Sequence, residues 1–217
     1  KGNESYGYSA GMNLASISAV DTVALSPVPA PKVNGTSHTV TATVGTAGNA
    51  LQFDGVNDFV RINANAALDI SDGTIEFWIN RVASGNNKCV IANRGTDSNT
   101  RYSMHVSDSA IGLWNGSSFG TVSYAIPAGA WHHVALVDSG SNTEVFVDGV
   151  SRGSTGNAFN TGVSGQPVTI GSSYTTAGAL FANESFAGKI DEVRVWNAAR
   201  TQVLFRLRNE KDPSRNA

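Results

Sequence analysis

From Gly48 onward, apolar and polar residues alternate with a period of two in short runs separated by Gly, Asn, Asp and Ser. The clearest run covers residues 131–149, WHHVALVDSGSNTEVFVDG. It reads as a strand (WHHVALV), a polar turn (DSGSN), a second strand (TEVFV) and a tight turn at Asp148-Gly149. Successive side chains of a strand point to opposite faces, so this alternation predicts a hairpin with one buried face. Asp-Gly supplies the positive-φ positions that a two-residue turn requires. Residues 51–62 (LQFDGVNDFVRI) and 188–196 (GKIDEVRVW) echo the same pattern, each with an aspartate at a bend or within the strand.

Extended over the chain, the alternation predicts strands at 50–54, 58–63, 73–82, 88–93, 102–107, 110–114, 120–125, 131–138, 143–148, 167–171 and 188–196. Short strands with a turn signal every eight to twelve or so residues predict an all-β fold, a sandwich of two antiparallel sheets. Residues 1–48 are less regular: SHTVTATV at 37–44 reads as an edge strand, and SPVPAPK as an extended, proline-stiffened connector. These 48 residues are expected to be either extra strands or a linker, ahead of a sandwich at 49–200. Residues 198–211 (AARTQVLFRLRNEK) have helical spacing at Val203, Leu204 and Leu207, with Thr201 as N-cap, and predict a short C-terminal helix ahead of a polar tail. The segment 172–185, SSYTTAGALFANES, has no period, and a long loop in a compact domain is often functional.

Composition narrows the function. With 23 glycines and only 15% charged residues, the chain favours tight turns over long solvated helices. A formal net charge of −2 gives no reason to expect nucleic acid or an anionic membrane as partner. There is no apolar run of about 18 residues of the kind that spans a bilayer. The single cysteine, Cys89, excludes an internal disulfide and reads as a buried thiol in KCVIAN.

Six ordered segments carry a resemblance: LQFDGVNDFV (51–60), TIEFWI (74–79), WHHVAL (131–136), VFVDG (145–149), VTIG (168–171) and FAGKIDEVRVWNAA (186–199). In this order and spacing they resemble the laminin-G-like and pentraxin-like branch of the concanavalin A-like lectin/glucanase superfamily. The resemblance implies a two-sheet antiparallel jelly-roll sandwich. For function it implies a family that holds lectins, adhesion modules and glycosidases alike.

Glucanases of this superfamily place their carboxylates on one strand face as E-x-D-x-E, and this chain has no such run. Glu76 is followed by Phe, Trp and Ile, and the neighbours Asp191 and Glu192 are expected on opposite faces, so the chain reads as non-catalytic. The loop matching the pentraxin calcium site holds one acid, Glu184, too few for that cage. The wider superfamily often has one structural calcium between an early turn and the last strand. Asp54, Asn57 and Asp191 are the matching residues; the competing reading caps Asp54 onto its own turn and pairs Asp191 with an arginine. His132 and His133 point to opposite faces and cannot chelate together, while His133 is expected to bond with Glu76 on a neighbouring strand.

A sugar site needs an aromatic platform and polar side chains. Trp114, Phe119, Tyr124, Tyr174 and Phe181 are loop or edge aromatics, and Arg94 and Arg101 flank the polar loop RGTDSNTR. The expected function is an extracellular or cell-surface binding module for a glycan or another surface ligand. Its ends read as linkers within a larger secreted chain. Two alternatives remain at this point, a protein-binding spacer and a glycoside hydrolase.

Overall fold

The computed structural model describes residues 32–33, 36–37, 41–45, 48–83, 85, 87–173, 175 and 179–200. The strands begin with β1 Lys32–Val33, β2 Thr36–Ser37, β3 Thr41–Gly45, β4 Gly48–Asp54 and β5 Val60–Ile62. They continue as β6 Thr74–Arg81, β7 Lys88–Arg94, β8 Thr100–Val106, β9 Ile111–Trp114 and β10 Phe119–Val122. The last five are β11 His132–Asp138, β12 Thr143–Val147, β13 Val150–Ser154, β14 Val168–Ile170 and β15 Ala187–Trp196. β1 and β2 pair as a small two-stranded sheet; of the two large sheets, one has seven strands in the order β13-β12-β11-β6-β15-β4-β3 and the other six in the order β10-β9-β8-β7-β14-β5. Pairing within both sheets is antiparallel, as the alternation predicts. The expected C-terminal helix falls mainly on residues 201–217, outside the described residues. Among the described residues, no helix is long and apolar enough to cross a membrane.

The two inner faces form one core. Ile75, Phe77 and Ile79 of β6, Val134 and Leu136 of β11, and Ile190 and Val195 of β15 are buried with Ile91, Tyr102, Met104 and Leu113 of the six-stranded sheet. Burying each such side chain contributes about 1.5–3 kcal/mol, the main force joining the sheets.

The Asp148-Gly149 turn has the backbone that the sequence predicts, with φ of 53° and 70°. It leads into β13, which the pattern reading misses. β13 is an edge strand that is exposed at four of five positions, so it carries no apolar alternation to find.

Strand β6 is buried on both sides. Its outward residues Thr74, Glu76 and Trp78 are 0%, 0% and 3% exposed. A buried carboxylate needs partners, and those of Glu76 come from the flanking strands. Trp196 Nε1 of β15 donates to Glu76 Oε1 at 2.9 Å, and His133 Nε2 of β11 lies 3.2 Å from Oε2. The expected Glu76–His133 contact on adjacent strands is present. Glu76→Ala takes the carboxylate from the buried Trp196 donor and from the His133 ring beside it, and should lower the free energy of urea unfolding by about 3 kcal/mol. A loss as small as that of an exposed surface substitution would show that the cluster does not hold the sheet.

Candidate functional site

The six-stranded sheet positions the site. Along β8, Tyr102, Met104 and Val106 point into the core, which sends Ser103 and His105 to the outer face. Trp114 of β9 lies directly across from Ser103, and Phe119 of β10 directly across from Trp114. His105, Trp114 and Phe119, with Asn87, Arg94, Asp97 and Glu184, line a cleft of about 360 Å³.

Gly112 sets the angle of the aromatic wall. A Cβ at this position would come within 2.2 Å of Phe119 Cζ, so only glycine lets the ring lie flat across β9. The ring then meets His105 edge-on with centroids 5.5 Å apart, and Phe119 stays 41% exposed. The Trp114 indole is fixed from the other side by Nε1 donating to the Asp97 carbonyl at 3.0 Å.

Arg94 joins three segments of chain. Its Nη1 donates to Glu184 Oε2 at 2.9 Å and to Ser173 Oγ at 3.4 Å, both in the 172–185 loop. Its Nη2 donates to the Asp97 carboxylate in the β7–β8 turn. Its guanidinium carbon lies 3.5 Å from the centroid of the Phe181 ring. The arginine is 4% exposed, whereas the Asp97 side chain is 74% exposed and that of Glu184 20%. Burial pushes the Glu184 carboxyl upward, and the adjacent Arg94 draws it part of the way back.

Beneath the cleft, His105 Nε2 and Ser103 Oγ are 2.8 Å apart, and Cys89 Sγ is 3.6 Å from the same hydroxyl. Cys89 is the buried thiol expected from the sequence, with its pKa raised to about 12 by burial. Burial lowers His105 to about 4, the Asn87 carbonyl opposing the shift and Arg94 adding to it, so the ring is neutral at physiological pH.

Of the residues expected to bind ligand, Arg94 and Trp114 come together here, and Phe119 joins them. Tyr174 lies outside the described residues. Arg101 does not reach the cleft. The β7–β8 register slips between Asn93 and Arg94, leaving Arg101 as the extra residue of a bulge. Its Nη1 donates to the Ile70 carbonyl at 3.0 Å, its Nη2 to the Thr161 carbonyl at 3.4 Å, and its Nε lies 3.9 Å from Asp69. The sequence spacing hides this bulge. Neither Asp97 nor Glu184 is marked by spacing as an arginine partner; the aperiodic 172–185 loop is the signal that points towards Glu184.

Asp54, Asn57 and Asp191, the residues expected to hold a metal, stand as follows. Asp54 Oδ1 accepts from the amides of Val56 at 2.7 Å and Asn57 at 3.4 Å, capping its own turn. Asp54 pairs with Ala187, whereas Asp191 pairs with Trp78 at the bulge in β15. Four strand positions separate Asp191 from Ala187, about 13 Å. Among the described residues, no three His, Cys, Asp or Glu groups gather to hold an ion.

The buried neutral His105 makes stability depend on pH. The unfolded chain takes up a proton near the ordinary histidine value of 6.5 and the folded chain only near 4. Its contribution is therefore complete above pH 6.5 and is lost as pH falls towards 4, by up to about 3 kcal/mol. His105→Gln should flatten the pH dependence of urea unfolding across that window. An unchanged slope would mean that His105 is not the group responsible.

The fold and the sequence agree on the relatives. A laminin-G type profile, described as the concanavalin A-like lectin/glucanases superfamily, matches residues 54–203. No curated protein sequence matches the chain. Among solved structures, domain 4 of AbnA, a GH43 extracellular arabinanase from Geobacillus stearothermophilus, in complex with arabinotriose, has a TM-score of 0.63 at 17% identity, covering 82% of this chain and 84% of that one. The native heptameric SAP-like pentraxin from Limulus polyphemus scores 0.55 at 22% identity, covering 71% and 78%. The Ruminococcus gnavus IT-sialidase CBM40 bound to alpha2,3 sialyllactose scores 0.55 at 14% identity, covering 70% and 97%. The matched profile spans most of the sandwich, and the chain belongs to the concanavalin A-like lectin/glucanases superfamily.

Proposed function

We propose that this chain is a non-catalytic glycan-binding module whose ligand occupies the cleft over β8, β9 and β10. The observation that carries this reading is the cross-strand pair Trp114 and Phe119, which lines one cleft together with Asp97 and Glu184. The apolar face of a pyranose or furanose packs on such a wall, while its hydroxyls donate to carboxylate oxygens. Two structural neighbours were solved with sugars, arabinotriose in one and sialyllactose in the other, which supports the reading without fixing the ligand. Glycans of this kind are displayed outside the cell, and we place the module there, as part of a secreted or surface protein.

The carboxylates argue against hydrolysis. A glycosidase sets its two acids on either side of the bond to be cleaved, with one free to give a proton. Here Asp97 and Glu184 both turn onto the same guanidinium. Calcium has no part in the proposed site, because the cleft acids already have a cationic partner. A chelator should leave glycan binding unchanged in calorimetry, and loss of binding would move calcium into the site.

Trp114→Ala removes the larger platform and should weaken binding by at least about tenfold. Gly112→Ala is the finer test. It leaves the wall's composition intact but forces the Phe119 ring off β9, so binding should fall while the unfolding temperature stays close to that of the parent. A glycan array read with all three proteins decides: equal binding by parent and variants would remove the ligand from this cleft.

A further inference from the structure

The proposed site poses a question that the fold leaves open, since arabinotriose is neutral and sialyllactose carries a carboxylate. We infer that the cleft selects neutral, hydroxyl-rich sugars and rejects carboxylated ones. This inference rests on the glycan-binding reading.

Recognition of an acidic sugar calls for a guanidinium fork or another cation with donors free to face the ligand. Arg94 is the one cation among the described residues lining the cleft, and it is committed. Glu184 holds one terminal nitrogen and Asp97 the other, while Phe181 covers a face. The side chain is only 4% exposed and its unpartnered Nε–H is buried, so an incoming carboxylate gains a donor only by displacing one of these acids. Displacing Glu184 leaves a largely buried carboxylate without its counter-ion, which is strongly unfavourable. Displacing Asp97 sets the ligand's charge beside that of Glu184.

The balance of charge in the lining points the same way. One guanidinium faces two carboxylates, and His105 adds no positive charge above about pH 4. An anionic ligand therefore meets net repulsion in a partly desolvated cleft, and like charges brought together lower affinity and serve specificity. A neutral sugar meets the opposite situation. The Asp97 carboxylate, 74% exposed, and the edge of Glu184 offer acceptor oxygens to hydroxyl donors. Such charge-assisted bonds are about twice as strong as neutral ones.

The test uses matched pairs: neutral oligosaccharides, including arabinotriose and lactose, printed beside their uronic-acid or sialylated counterparts. The pairs are read with the full chain, with Trp114→Ala and with Asp97→Asn, and affinities for positive pairs are measured by calorimetry. The expected result is binding of a neutral member at least tenfold tighter than its acidic counterpart, lost in Trp114→Ala. Asp97→Asn frees one guanidinium nitrogen from an exposed position and should shrink that ratio several-fold. Acidic members bound as tightly as neutral ones, but still lost in Trp114→Ala, would overturn the charge selection and leave the cleft as a glycan site. A ratio unchanged in Asp97→Asn would also overturn it. No binding to any member, or binding untouched by Trp114→Ala, would overturn the cleft reading and this inference with it.

Discussion

A strand buried on both faces has nowhere to solvate a polar side chain except sideways, towards its neighbours. β6 is such a strand, and Glu76 is the residue that makes the constraint matter. One face of β6 supplies Ile75, Phe77 and Ile79 to the core between the sheets. The other carries a carboxylate whose partners lie on the strands to either side, His133 and Trp196. The contacts cross the hydrogen-bond ladder and so tie β11, β6 and β15 in one register. A slip of one residue would turn Glu76 into the apolar core and the core residues outward. Correct alignment of the central three strands is thus enforced by polarity as well as by apolar packing.

Much of this was legible in the sequence, and for identifiable reasons. Strands with one buried face betray themselves by alternation, which is why β11, β12 and β15 were readable from WHHVALV, TEVFV and GKIDEVRVW. The Glu76–His133 contact was readable because the family resemblance sets the two strands side by side and parity then puts both residues on one face. β13 was not, because VSRGS lies on an edge where neither face is consistently buried. The spacing between Asp54 and Asp191 was not legible, for a different reason. Resemblance sets two segments near each other, but only the register says how far along the strands two residues stand.

The cleft shows a similar division. Its aromatic wall is local, two facing strands joined by a short polar turn, and Trp114 and Phe119 could be picked out as edge aromatics. Its electrostatics are not local. Arg94, Asp97 and Glu184 come from a strand end, a turn and a loop, with 90 positions between Arg94 and Glu184. Residue types could propose the parts, but the closed arrangement of a guanidinium between two acids belongs to the tertiary structure. That arrangement changes what Arg94 means, from an open donor to the keystone of the cleft's rim.

The bulge at the start of β8 separates two arginines that the sequence treats alike. Arg94 and Arg101 bracket the same turn, yet one supports the cleft and the other is anchored inside by backbone carbonyls. What assigns these roles is chain length, the single extra residue in the pairing. The turn from Gly95 to Asn99 can therefore drift in composition more freely than in size. A substitution there changes one side chain, whereas a one-residue insertion or deletion reverses the parity of the strand entry and turns Arg101 away from the carbonyls that hold it. The length of this turn, more than its composition, is what keeps Arg101 inside and Arg94 at the cleft.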